Sequence, residues 1–259
     1  MAKKGKPWTR DELLVAFNLY CRTPFGRMHI RNPDIIALAS RLGRTPGSVT
    51  MKLCNFASLD PVHRARNIAG LKNVSAADRE IFEEFQSDWQ ALAEESEAAN
   101  ERLGVRPPVT EGEESLAELA DRAGDTEAIR SVRVRRVQSL FRATVLASYD
   151  FTCAISGIAV PALLQASHII PWAQDKSRRI DPRNGIALSA LHDRAFDRGL
   201  ITFDEDLRVV VSRRLHVGNP SEIHRAALLN IEGQRLRLPT RYAPDPQALE
   251  WHRQHVFVG

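Results

Sequence analysis

An α+β chain of two modules is what this sequence predicts, and three observations carry the prediction. Through the first hundred residues apolar side chains recur at helical spacing behind capping signals. Between Phe151 and Phe203 the pattern changes to short apolar runs, Pro- and Gly-bearing turns and one closing helix. Charge then divides the chain in three. Residues 1–74 hold thirteen Lys/Arg against four Asp/Glu (+9), residues 75–127 four against sixteen (−12), and residues 128–259 nineteen against twelve (+7). The expected organisation is a helical module at 1–74, an acidic helix and linker at 75–127, and a mixed α/β module at 128–259.

Composition narrows the classes. With 43% hydrophobic and 26% charged residues the chain is an ordinary soluble one. No apolar run approaches the roughly 20 residues of a membrane span, and the first residues lack the apolar core of a signal peptide. Cys21, Cys54 and Cys153 are too scattered for a disulfide framework or a four-cysteine zinc site. A reducing cytoplasm and no membrane partner are therefore expected. Two basic blocks around an acidic one suggest surfaces for a polyanion, separated by a spacer that avoids it.

The first helix is signalled by Thr9 and Glu12, a capping-box pair, ahead of Leu13, Leu14, Phe17, Leu19 and Tyr20. Pro33 opens a second helix through Ile35, Ile36, Leu38 and Ala39, which Gly43 ends. Thr45-Pro46 starts a third. The segment Ile36–Phe56, with Trp8-Thr9 before it, resembles Myb-like or homeodomain-like helix-turn-helix domains. That resemblance implies DNA contact through Arg44, Thr45, Ser48, Thr50 and Lys52, with Arg44 and Lys52 on phosphates and Ser48 or Thr50 at base edges. A helical hairpin that packs only on protein is the alternative.

Ser75 and Asp78 repeat the capping pattern, and Ile81, Phe85, Trp89 and Leu92 share one helical face. This acidic helix can dock on the N-terminal module or pair with a second copy. Gly104 to Gly124, with Pro107-Pro108, reads as a linker holding one short helix at Ser115–Arg122. Val132 and Val134, alternating with Arg, suggest a short strand. A helix at Val137–Tyr149 then buries Val137, Leu140, Phe141, Val145 and Leu146.

The stretch 151–203 predicts strand, turn, strand, long loop and helix, a layout that faces a strand histidine and a helix histidine across a small gap. His168, Asn184 and His192 stand 16 and 8 residues apart within it. With the words Ser167-His168-Ile169-Ile170-Pro171-Trp172, Asp181-Pro182-Arg183-Asn184-Gly185 and Leu191–Gly199, the stretch resembles the HNH nucleases of ββα-metal fold, in a bacterial restriction-type branch. The resemblance implies a metal-dependent endonuclease acting on DNA. His168, at the end of the second strand, would be the general base, Asn184 the brace of the loop and His192 a metal ligand. Many such enzymes carry Asp or His before the base, where this chain has Ser167. A hydroxyl is the poorer ligand for a hard cation, so Ser167 coordinates weakly or an acid, Asp193 or Asp197, completes the shell. Mg²⁺ is the first expectation, with Mn²⁺, Ni²⁺ or Zn²⁺ behind it. Loop residues Arg178 and Arg179, and Arg135, Arg136 and Arg142 of the helix leading in, are candidates for gripping the DNA backbone.

Past the motif, Leu200–Phe203 and Leu207–Ser212 predict a hairpin around Asp204-Glu205-Asp206, further strands fall near Leu236–Leu238, and Ala243–Phe257 closes the chain as a helix. His216, His224, His252 and His255 read as peripheral. A homodimer would suit double-strand cutting from one site per chain. The rival functions are a DNA-binding protein with a degenerate HNH fold and a nuclease effector gated by a partner or ligand.

Overall fold

In a computed structural model the chain is described over residues 6–61, 74–105 and 125–259, with side chains except those of 85–87, 92 and 125–136. Residues 106–124, which contain most of the expected linker and its short helix, lie outside the described residues, as do the side chains of Arg130, Arg133, Arg135 and Arg136. The chain divides into two compact units. Among the described residues no helix is long and apolar enough to cross a membrane.

The first unit is helical. Helix α1, Arg10–Arg22, begins in the expected capping box: the Thr9 hydroxyl accepts from the Glu12 amide and the Glu12 carboxylate accepts from the Thr9 amide. Helix α2, Pro33–Arg41, starts behind Asn32, and α3, Pro46–Leu59, behind Thr45. Between them Gly43 adopts φ +61°, the left-handed conformation that stops a helix cheaply only at glycine. Helices α4, Ala76–Ser87, and α5, Trp89–Leu103, follow, the first behind the Ser75/Asp78 box.

The aromatic centre joins three of these helices. The ring of Phe17 meets that of Phe56 at 4.9 Å and that of Phe82 at 5.9 Å, both edge-on. Ile81, Phe82, Trp89, Ala93 and Ala99 are buried with them, each large side chain contributing on the order of 1.5–3 kcal/mol. The acidic block is therefore part of this unit's core, which runs past residue 74. Its charges face the basic helices: Lys52 Nζ lies 2.6 Å from Asp78 Oδ1, Arg10 meets Glu84 and Glu95, and Arg102 meets Asp11.

Helix α6, Asp125–Ser148, leads into the second unit. It overrules the strand expected at Val132–Val134. A helix satisfies its backbone groups locally, whereas a strand there would need a partner. A turn follows in which Asp150 and Phe151 both take φ 51°, and Cys153 N donates to Ile158 O. Strand β1 is Leu164–His168 and β2 is Gly185–Ser189, antiparallel, with Ser167 opposite Ile186 and His168 opposite Gly185. Helix α7, Ala190–Asp197, starts directly from β2, capped by Ser189.

The strand order differs from expectation. The apolar run after Phe151 is turn, so His168 closes the first strand of the pair, and the second comes after the long loop. Strands β3, Ile201–Phe203, and β4, Val209–Val211, form the expected hairpin. Near Leu236–Leu238 there is an isolated bridge from Arg208 to Arg235 where strands were expected. There the backbone is occupied by Ala154 and Ser148 carbonyls, which accept from Arg237 N and Thr240 N. Helix α8 is Pro246–His255.

His252 corrects another expectation. It is 1% exposed, on the α8 face that also buries Ala248 and Leu249. Its ring stacks on Phe196 at 3.8 Å, Nδ1 meets the Thr202 hydroxyl at 2.9 Å and Nε2 meets the Phe196 carbonyl at 3.1 Å. Burial, helped by the Arg253 charge and opposed by the Phe196 carbonyl, lowers its pKa to about 4 from an ordinary 6.5. The unfolded chain thus binds a proton that the folded one refuses. Stability is full above pH 6.5 and falls between 6.5 and 4, by about 3 kcal/mol in all. Denaturant titrations of wild type and His252→Asn across this window check it: the variant should lose most of the slope.

Candidate active site

His168 is fixed from three sides. Its ring lies flat on Phe141 of α6, with centroids 4.1 Å apart, and its edge faces Trp172 at 5.7 Å. Nε2 stands 2.8 Å from the Arg179 carbonyl. A carbonyl can only accept, so Nε2 carries the hydrogen and Nδ1 keeps a lone pair. Burial holds the pKa of His168 below the usual histidine value, against the pull of the Arg179 carbonyl. The neutral ring is the form a general base requires.

The close approach of Phe141 depends on Gly185. A Cβ at Gly185 would come within 2.5 Å of Val145 Cγ2 and 2.8 Å of Phe141 Cζ. Because Gly185 pairs with His168 across the sheet, the missing side chain lets α6 press against the strand pair behind the histidine. Neither Phe141 nor Gly185 carries a sequence signal for this; it follows from the strand register.

Asn184 sews the long loop to β1. Its Oδ1 accepts from Ile170 N at 2.8 Å, and its Nδ2 donates to the carbonyls of Ile170 and Arg178 at 3.0 and 3.1 Å. It is 2% exposed, so each of these bonds replaces one that water would otherwise make. Arg179 carries the carbonyl that holds His168. Its guanidinium donates to Trp172 O and lies over the Trp172 ring. Arg178 donates to Asp245 at 2.5 Å, tying the loop to the cap of α8.

His192 points into the fold. Nε2 stands 2.9 Å from the Ala227 carbonyl, and Nδ1 stands 3.0 Å from Ser189 Oγ and 3.7 Å from Cys153 Sγ. The sulfur also accepts from the amides of Ser189, at 3.1 Å, and Ser156. Burial disfavours charge on either group, but hydrogen bonds together outweigh it: those from His192, Ser156 and the Ile155 backbone lower the Cys153 thiol to about 6, and Cys153 with the Ala227 carbonyl raises His192. Cys153 and Ala227 had no part in the sequence reading, since 39 and 35 residues separate them from His192.

One residue along α7, about 100° around the axis, a different group forms. Asp193 and Asp197 are one turn apart on a common face. Burial raises the carboxyl pKa of both, and the Asp193 charge raises Asp197 further. The hydroxyl of Ser167, on β1, draws Asp193 back down, as do Arg194 and Arg142. Ser167 is 2% exposed, and its Oγ lacks a partner of normal hydrogen-bond geometry.

The remaining expected residues lie elsewhere. Arg44 is turned onto its own unit: it donates to Lys6 O, Pro7 O and Glu12 Oε2 and covers the Trp8 ring at 4.1 Å. Lys52 is buried against Asp78. Both serve packing in this structure, since withdrawing either cation would leave its buried carboxylate partner, Glu12 or Asp78, uncompensated. Ser48 is half-buried in the first turn of α3. The side chains of Arg135 and Arg136 lie outside the described residues.

With His168 closing β1, Asn184 leading into β2 and α7 directly after it, the segment has the strand, loop, strand and helix order of one family. Residues 153–204 match the HNH endonuclease family model. The HNH segment spans Cys153 through β3, so the match supports the HNH family there and says nothing of α1–α5. No curated protein matches the chain. An HNH domain suggests a nuclease acting on nucleic acid, a class generally dependent on a divalent metal. For such an ion the residues of the segment differ in fitness. His192 has both ring nitrogens against protein groups, whereas Asp193 and Asp197 are oxygen donors one turn apart on α7, and the Ser167 hydroxyl acts on Asp193. Among the described residues, no group of three or more His, Cys, Asp or Glu stands ready for a metal.

Proposed function

We propose that the chain is a metal-dependent endonuclease that hydrolyses phosphodiester bonds in DNA, of the restriction type that its motif words resemble. The observation that carries this reading is the free lone pair on Nδ1 of His168, on a neutral ring locked by Phe141, Trp172 and the Arg179 carbonyl. In the proposed step Nδ1 takes a proton from water, the resulting oxygen attacks phosphorus, and the bond to the 3′ oxygen breaks. The 3′ oxygen takes a proton from solvent, leaving a 5′-phosphate and a 3′-hydroxyl. Asn184 keeps the carbonyls of the loop, and so the ring, in place. A divalent cation, Mg²⁺ first, supplies charge neutralisation at the phosphoryl oxygens when bound.

Of the two proposed backbone grips Arg178 is held by Asp245, which leaves Arg179 the better placed, and the net +7 of residues 128–259 favours a polyanion. A contribution of the first unit to targeting rests on its layout and on Ser48, since Arg44 and Lys52 are otherwise engaged. The test is conversion of supercoiled plasmid to nicked or linear form with Mg²⁺ or Mn²⁺ and its loss in chelator. Plasmid left intact with every metal tried, and RNA cut instead, would replace DNA as the substrate. Neither being cut would overturn the reading.

A further inference from the structure

We propose that the first unit binds a small polar organic molecule in a cleft between α1, α2 and the C-terminal end of α5. The ligand carries an N–H donor, a hydrogen-bond acceptor and an anionic group on a partly apolar frame. Nothing in this assignment depends on the nuclease reading, because every residue of the cleft belongs to the first unit.

The space is the first observation. Protein cores close-pack and leave few voids larger than a water molecule, yet about 370 Å³ stays open here, within the roughly 300–1,000 Å³ of small-molecule sites. Its apolar walls are Val15, Leu19, Leu38 and Val105. The cleft is also preformed. Asn18, on the α1 side, donates to Ser96 and Glu97 of α5 and accepts from Arg22 Nε. At the other rim Gly104 turns the chain at φ +61°, and its carbonyl accepts from Arg41 Nε at 2.6 Å. Both α1 and α2 are thereby tied to the end of α5, so binding has little left to order.

Three polar groups on the walls keep unmet hydrogen-bonding capacity. Asn100 is 3% exposed, and its Nδ2 is buried with no hydrogen-bond partner. Folded proteins seldom leave a buried amide so, and an acceptor on a ligand satisfies it. The Asp34 carboxylate is half-buried, and burial raises its pKa with no cation to offset the effect. An N–H or ammonium group supplies that offset. Arg41 lies seven residues on, two turns and about 10 Å along the same face of α2. Its Nε is engaged by Gly104, while its terminal nitrogens are free among the described residues. They suit a carboxylate or a phosphate. A molecule that reaches both Asp34 and Arg41 therefore has a donor at one end and an anion at the other. Two sources share this chemistry. A nucleoside monophosphate brings an amino group, ring nitrogens and a phosphate; a dipeptide brings an ammonium, an amide carbonyl and a carboxylate.

The test is isothermal titration calorimetry of the full chain with one probe of each kind, adenosine 5′-monophosphate and the dipeptide alanyl-leucine. Circular dichroism confirms the fold of each variant. At least one probe should bind the wild type, and the one that binds identifies the source as nucleotide or peptide. Ala37 lines the cleft from an exposed position on α2, so Ala37→Trp fills the space without disturbing the core and should abolish binding. Asp34→Asn and Arg41→Gln should each weaken it at least tenfold. Asn100→Leu should weaken it as well while raising the melting temperature of the free chain, since it removes a buried amide that has no partner. Binding unchanged in folded Ala37→Trp would overturn the proposal, as would a wild type that binds neither probe.

Discussion

Replacing His168 by alanine is expected to slow phosphodiester cleavage by about 10²–10⁴-fold, the usual worth of a positioned general base. Binding of plasmid DNA should persist, because the ring is held by Phe141, Trp172 and the Arg179 carbonyl and is not one of the proposed phosphate grips. Single-turnover nicking separates the chemical step from binding. If the variant cuts at the wild-type rate, another group takes the proton and His168 is a packing residue that happens to be half-buried. Loss of DNA binding together with cleavage would instead mark it as part of the binding surface.

Lys52→Ala is expected to destabilise the first unit by about 3–5 kcal/mol, because it leaves Asp78 buried without its cation. Asp78 also caps α4 and accepts from Asn55, so the carboxylate cannot simply swing into water. Hydrogen exchange localised to α3 and α4 gives the measurement. The double variant Lys52→Met/Asp78→Asn should recover most of the loss, since it removes the buried charges together. A change under about 0.5 kcal/mol, the size of an ordinary surface substitution, would mean that Lys52 is free in solution and available to phosphate, as its place in α3 first suggested.

Local signals were the legible part of this chain. Thr9 with Glu12 and Ser75 with Asp78 announce helix starts through bonds made within four residues, and the structure forms both. The three words around His168, Asn184 and His192 were legible for the same reason, each being a short contiguous pattern. What failed depended on distance. The run after Phe151 is apolar because Cys153, Ala154 and Ile155 are buried, and burial in a turn looks the same in sequence as burial in a strand. Arg44 and Lys52 look like solvent cations until Glu12 and Asp78 are brought beside them. The His192 and Asp193 faces of α7 differ by one position. Which faces inward depends on where Cys153 and Ala227 lie, and no spacing rule reaches across 35 residues.

The long-range ties around the site have a consequence for the cell that makes this chain. His192 is anchored 35 residues downstream at Ala227, and Arg178 is anchored 67 residues downstream at Asp245. At a synthesis rate of about 5–20 residues per second, several seconds pass between the emergence of His168 and that of α8. Throughout that interval the loop that carries the Arg179 carbonyl lacks its Asp245 tether, and the ring is left to its contacts with Phe141 and Trp172. On the proposed activity, a ribosome-bound or prematurely terminated chain would be a poor nuclease, and the genome it was copied from would be spared until the last helix docks.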